Sequence, residues 1–220
     1  MTLRALVVDY GGVLTNELAD CMDAFCVAEN VDPAHYDEVL SRWLGPYAPA
    51  GNPTELLELG SISEPEFEQA LAERLVTRTG EPVKAGGLLA RMFAGTRHEP
   101  VMVSLVRRAR VNGIRTALLS NSWSMSVYDR ASWSELFDVI VISGEVGMRK
   151  PDADIYLHTA ALLEVPPAGC VFVDDLAVNV RGAVAVGMVG IQHVSATSTA
   201  AELAELFGGS VITDGLRGVS

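Results

Sequence analysis

The chain has 220 residues, with 16 Lys and Arg against 28 Asp and Glu for a formal net charge of −12 at pH 7, and 49% of it is hydrophobic. Such a length and composition belong to a globular chain that buries a substantial core, and they exclude disorder as its main state. So acidic a chain is repelled by phosphate backbones and anionic lipid heads, which removes nucleic acid and membrane surfaces from the expected partners.

The three cysteines, Cys21, Cys26 and Cys170, are an odd number without a Cys-x-x-Cys pair. They suit a reducing compartment better than a disulfide framework. Residues 1–8 hold one basic residue and a short apolar run that meets Asp9, unlike the long apolar stretch of a signal peptide. Residues 180–194 are interrupted by Arg181 and by glycines and are too short to span a bilayer. A cytoplasmic location is expected.

In chain order, residues 3–8 form a continuous apolar run that reads as a buried strand. Helical patterns follow at 17–30, 33–44, 63–78 and 83–93, where Ser63-Glu64-Pro65-Glu66 has the form of a capping box with proline in the first turn. Gly45, Pro46, Pro49, Gly51 and Pro53 mark a loop in the middle of this stretch. From residue 100 the pattern alternates. Helices are expected at 100–111, about 124–133, 152–163 and 177–186, and strands at 114–119, 139–142, 170–173 and 189–193. The strand runs are continuous rather than alternating, as in a parallel sheet covered on both faces.

This pattern predicts an α/β fold, a doubly wound Rossmann-like parallel sheet of about five strands. About 90 residues separate the first strand from the helix before the second, whereas a crossover needs only about a dozen. The excess reads as an inserted helical cap. The expected division is a core of 1–15 and 96–220 with a cap of 16–95.

Ligands of open parallel sheets bind beyond the carboxyl ends of the strands, and four of these five ends carry reactive side chains. Asp9-Tyr10-Gly11-Gly12 follows the first run and Ser120-Asn121-Ser122 the second. Met148-Arg149-Lys150-Pro151-Asp152 lies beyond the third, and Asp174-Asp175 with Asn179 follows the fourth. Asp9, Asp174 and Asp175 at neighbouring ends would repel one another, and a hard divalent cation such as Mg²⁺ relieves this. Lys150 adds a fixed positive charge, while Ser120 and the Asn121 backbone amide offer donors to phosphoryl oxygens. Each residue alone is equally readable as a turn or a helix cap. Their coincidence at four strand ends is what favours a phosphate clamp.

In the order Asp9, Ser120, Lys150, Asp174-Asp175, the sequence resembles the haloacid dehalogenase superfamily over the whole chain. It is similar to the helical-cap members of the glucose-1-phosphate phosphatase type and to the phosphatase domain of soluble epoxide hydrolase. The resemblance implies a Mg²⁺-dependent phosphatase of a small phosphorylated metabolite. Asp9 would be the nucleophile, with Ser120, Asn121 and Lys150 binding the phosphate. Asp9, the Gly11 carbonyl and Asp175 would be metal ligands, with Asp174 and Asn179 in supporting positions. Gly11 departs from the family's usual acid–base aspartate, whose help is worth roughly 10²- to 10⁴-fold. Asn16, Glu17 and Asp20 are the nearby stand-ins. Two rivals stand beside this reading: a 2-haloacid dehalogenase, and a catalytically impaired phosphate-binding protein.

Other features are read as structural. The run Arg107, Arg108, Arg110 is a solvated helix face, His98 and His158 are surface or structural rather than catalytic, and His35 and His193 lack a zinc-ligand spacing. Trp43 and Tyr47 either pack in the cap or face substrate.

Overall fold

The computed structural model describes residues 2–44, 48–124, 128 and 133–209. Most of the helix expected at about 124–133 lies outside these residues, as do Gly45, Pro46 and Tyr47. Five parallel strands, β1 (Ala5–Val8), β2 (Arg115–Ser120), β3 (Val139–Ile142), β4 (Cys170–Asp174) and β5 (Val189–Gln192), form one sheet in the order β3-β2-β1-β4-β5. The α/β class and the five-stranded parallel sheet are as expected.

β1 lies at the centre, and its alternate residues explain its unbroken apolar sequence. Leu6 and Val8 pack on one face with Leu118, Val171 and Met102, and Ala5 and Val7 pack on the other with Leu119, Phe172 and Ile155. Helices cover both faces: α6 (Pro100–Val111) and α10 (Ala196–Phe207) on the first, α8 (Ala153–Leu162) and α9 (Ala177–Ala185) on the second. A short α7 (Ser143–Val146) follows β3.

Between β1 and α6 lie α1 (Leu18–Ala28), α2 (Pro33–Leu44), α3 (Pro53–Glu58), α4 (Glu64–Ala72) and α5 (Leu88–Met92). They share an apolar cluster of their own, including Phe25, Tyr36, Leu40, Phe67, Leu71 and Met92. The chain enters and leaves this segment through two connections held side by side. The Asn16 amide donates to the Arg97 carbonyl at 2.9 Å, and the Glu99 amide donates to the Leu14 carbonyl at 2.8 Å.

Three expectations need correction. The helix expected at 63–78 ends at Ala72, because Val76 and Thr77, stiff β-branched residues, are drawn into antiparallel bridges with Pro82 and Val31. The helix expected at 83–93 begins only at Leu88, since Gly87 is left-handed at φ +74°. Within the proline-glycine loop sits α3. It is started by Asn52, whose Oδ1 accepts from the amides of Thr54 and Glu55, with Pro53 in the first turn. The Ser63 capping box is present as read. Among the described residues no helix is long and apolar enough to cross a membrane.

Candidate active site

Register brings the acids together. Val8 pairs with Leu118 of β2 and Val173 of β4, so Asp9 is level with Leu119 and Asp174, and its amide donates to the Val173 carbonyl at 2.9 Å. Asp9 is 8% exposed and Asp174 fully buried. Carboxylate oxygens of Asp9, Asp174 and Asp175 lie within 4.8 Å of one another. Lys150, 1% exposed, inserts its ammonium between two of them, with Nζ 2.8 Å from Asp9 Oδ1 and 2.6 Å from Asp174 Oδ2.

The surroundings fix these groups. Asp174 Oδ1 accepts from the Leu176 amide at 2.9 Å, and Asn179 Nδ2 donates to both Asp174 oxygens at 3.0 and 3.1 Å. Asn121 clamps the main chain of Lys150, its Nδ2 donating to the Lys150 carbonyl at 3.1 Å and its Oδ1 accepting the Lys150 amide at 2.9 Å. Ser120, at the end of β2, has its hydroxyl 3.0 Å from that of Tyr128. Gly12 is left-handed at φ +71°, and a Cβ there would meet Asp175 Oδ2 at 2.7 Å. Only glycine lets this loop pass so close to that carboxylate.

Burial pushes the Asp9 carboxyl up to about 7; Lys150 opposes this, and Asp174 and Asp175 add to it. Asp175 is pushed up to about 6 by burial and then by Asp174. Burial works to lower the Lys150 ammonium, yet its two acidic neighbours outweigh it and hold it above its ordinary value. Three carboxylates thus face one buried ammonium, and the cleft is short of positive charge.

The family profile of haloacid dehalogenase-like hydrolases matches residues 3–187. The chain belongs to that family. It is 32% identical over 171 residues to the sesquiterpene phosphatase astK of Aspergillus oryzae, covering 70% of this chain and 85% of that protein. A bifunctional riboflavin kinase/FMN phosphatase of Arabidopsis thaliana is 37% identical over 87 residues, covering 38% of this chain and only 23% of that protein. Among solved structures, a HAD family enzyme of Bacteroides thetaiotaomicron, described as a complex with magnesium and inorganic phosphate, superposes with a TM-score of 0.64 at 20% identity. That alignment covers 86% of this chain and 93% of the other, and it shows the shared fold.

In this family member the sequence-read residues Asp9, Gly11, Ser120, Asn121, Lys150, Asp175 and Asn179 all line one cleft, and Asp174 lies beneath it. Asn16, Glu17 and Asp20 do not line it. The Asn16 side chain is instead used between the two connections, its Oδ1 accepting the Arg97 amide at 2.7 Å. Trp43 is buried against Phe67, with the Arg74 guanidinium over its ring. Sequence reading missed Glu58, which reaches the cleft from α3. It accepts from Arg149 Nε at 2.7 Å and from Trp123 Nε1 at 3.1 Å. The Asn52-Pro53 pair that starts its helix was the available signal.

Proposed function

We propose that this chain is a Mg²⁺-dependent phosphatase that hydrolyses the phosphate monoester of a small metabolite through a covalent intermediate on Asp9. The observation that carries the reading is the buried Lys150 ammonium held between Asp9 and Asp174 at the ends of adjacent strands. It orients one Asp9 oxygen and keeps a fixed charge beside the place where a phosphoryl group would sit. Similarity to two phosphatases supports a phosphate ester as substrate.

The acid cluster fits a hard cation. Both Asp174 oxygens are already engaged by Lys150, Asn179 and the Leu176 amide, which leaves Asp9, Asp175 and the Gly11 carbonyl to hold Mg²⁺. Bound there, the ion would supply the missing positive charge that keeps the acids ionised and offsets charge on the phosphoryl oxygens. The Asp9 oxygen not held by Lys150 attacks phosphorus. The P–O ester bond breaks, the alcohol oxygen leaves with the electron pair, and water later cleaves the aspartyl-phosphate to free phosphate.

Gly11 supplies no side chain for the leaving oxygen, so that oxygen takes its proton from solvent and turnover favours good leaving groups. The segment 16–95 serves as a cap over a core of 1–15 and 96–220, excluding bulk water from the cleft. The paired acids argue against a haloacid dehalogenase, whose anionic substrate they would repel, so no halide release from 2-chloropropionate is expected.

Hydrolysis of p-nitrophenyl phosphate tests the reading. It should require Mg²⁺ and fall by roughly 10⁴- to 10⁶-fold in Asp9→Asn. Turnover insensitive to EDTA, or undiminished in that variant, overturns it. Phosphate binding without turnover would favour the impaired binding protein that Gly11 suggests.

A further inference from the structure

Beyond the acids the cleft opens into a chamber of about 540 Å³, within the range of roughly 300–1,000 Å³ that encloses a drug-sized ligand. Its charge lies at the strand-end floor and in the Glu58–Arg149 ion pair above it. Leu18 and Met22 of α1, Leu40 of α2, Phe93 and Trp123 supply the apolar part of the walls, and Leu44, Leu176 and Val178 extend it. These last three are 50%, 54% and 45% exposed. Large apolar side chains left open to solvent inside a concave site mark a place for apolar ligand surface.

Several polar groups of the walls are bonded within the protein. Glu58 is held by Arg149 and Trp123, so the one buried acid of the upper chamber carries its own counter-charge. The Tyr36 hydroxyl donates to Met22 Sδ at 2.7 Å. The Thr96 hydroxyl lies 3.7 Å from Cys21 Sγ, and the Ser124 hydroxyl donates to Glu64 at 3.0 Å. A sugar or nucleoside brings hydroxyls and ring nitrogens that lose water on entry, and Tyr36, Glu58 and Ser124 would have to share or give up internal bonds to meet them. A hydrocarbon makes no such demand.

We propose that the chamber takes the phosphate monoester of an aliphatic alcohol, with the phosphate at Lys150 and the hydrocarbon body along α1 and α2. The proposal rests on the phosphatase reading for the head group and names its substrate class. The cap therefore selects by apolar burial, and selectivity grows with chain length until the chamber is full.

The test uses the full chain with saturating Mg²⁺ and two homologous series. Calorimetry measures Kd for n-alkylphosphonates from methyl to decyl, which cannot be hydrolysed. Steady-state kinetics measures kcat/KM for ethyl, butyl and octyl phosphate, whose leaving groups are chemically alike, beside glucose 1-phosphate. Each buried methylene should tighten binding and raise kcat/KM about fourfold. Octyl phosphate should exceed both ethyl phosphate and glucose 1-phosphate by at least about a hundredfold. Met22→Gln, similar in size but polar, should cut the octyl-to-ethyl ratio about tenfold, whereas a merely less stable protein would lose both activities alike.

A phosphonate series flat in chain length, or tighter binding of glucose 1-phosphate than of octylphosphonate, overturns the proposal. The two readings fail separately. Short esters hydrolysed without a chain-length slope would sink the aliphatic substrate and leave the phosphatase standing. A clear phosphonate slope with no ester hydrolysed would support the apolar chamber and sink the phosphatase.

Discussion

The floor and the walls of the cleft are built on opposite principles. At the floor, ionisable groups are packed beyond the sheet and pinned by strand register and by main-chain bonds to Asp9, Lys150 and Asp174. In the walls, side chains from helices outside the sheet present apolar surface, and Tyr36 and Glu58 are bonded to neighbouring side chains. The proposed chemistry thus sits at the strand ends, and the proposed ligand choice in side chains from helices outside the sheet. The sharpest way to break the floor is Lys150→Met, which leaves two buried carboxylates facing each other. Removing one member of a buried ion pair should cost about 3–5 kcal/mol, read from the urea midpoint at neutral pH. Restoring part of that loss with Asp174→Asn in the same chain would confirm charge as the cause; a loss below about 1 kcal/mol would show that the ammonium does not neutralise the floor.

A second expectation concerns the metal-free floor. Asp9 at about 7 and Asp175 at about 6 both lie above the ordinary value of 3.8. Folded protein therefore holds protons that the unfolded chain has already released, and stability falls as pH rises from about 4 through 7. Saturating Mg²⁺, bound by the ionised form, should flatten or reverse that slope. Thermal unfolding with EDTA and with Mg²⁺ across this window measures it, and identical slopes in the two series would mean that the acids bind no cation.

How much of this was legible in the sequence follows from the same contrast. A parallel sheet puts the first polar residue after each apolar run at one edge, so Asp9, Ser120 and Asp174-Asp175 could be found from the strand runs alone. Lys150 was read as a charge at that edge, but its burial between two acids follows from the loop after β3, which no periodicity encodes. Asn121 was read for its backbone amide, and the hold of its side chain on the Lys150 main chain was not foreseen. The walls were far less legible. Helix ends in that segment are set by tertiary contacts, as Val76 and Thr77 show by leaving α4 for bridges, and Glu58 sits on a six-residue helix hidden among prolines and glycines. Helix α10, rich in alanine and glutamate after Ser195, was overlooked although its hydroxyl cap was visible.

Between the two regions stands Gly60, which tests how the walls are held over the floor. Its φ is +68°, and a Cβ there would run into the carbonyl of Gly144 in α7. Gly60→Ala forces both backbone strain and separation of the two segments, for about 1–3 kcal/mol. A raised KM with kcat less affected would place the damage in the walls. An unchanged denaturation midpoint would mean that the segments do not depend on this contact.

The smallest expected effect probes the walls alone. Asn52 caps α3 through bonds of 3.0 and 3.1 Å from the Thr54 and Glu55 amides, and its Nδ2 donates to the Pro49 carbonyl at 3.0 Å. Asn52→Ala removes all three bonds at a buried site, and losing such a cap costs about 1 kcal/mol. The floor shares no bond with Asn52, so the proposed Mg²⁺ requirement and the pH slope of the metal-free protein should be unchanged. Glu58, at the far end of the same six-residue helix, should nevertheless lose part of its hold on Arg149 and Trp123 as α3 frays. A blue-shift or intensity change of tryptophan fluorescence that accompanies the lost stability would report that fraying. Stability lost with Trp123 emission unchanged would show instead that Arg149 and Trp123 hold Glu58 in place without the helix.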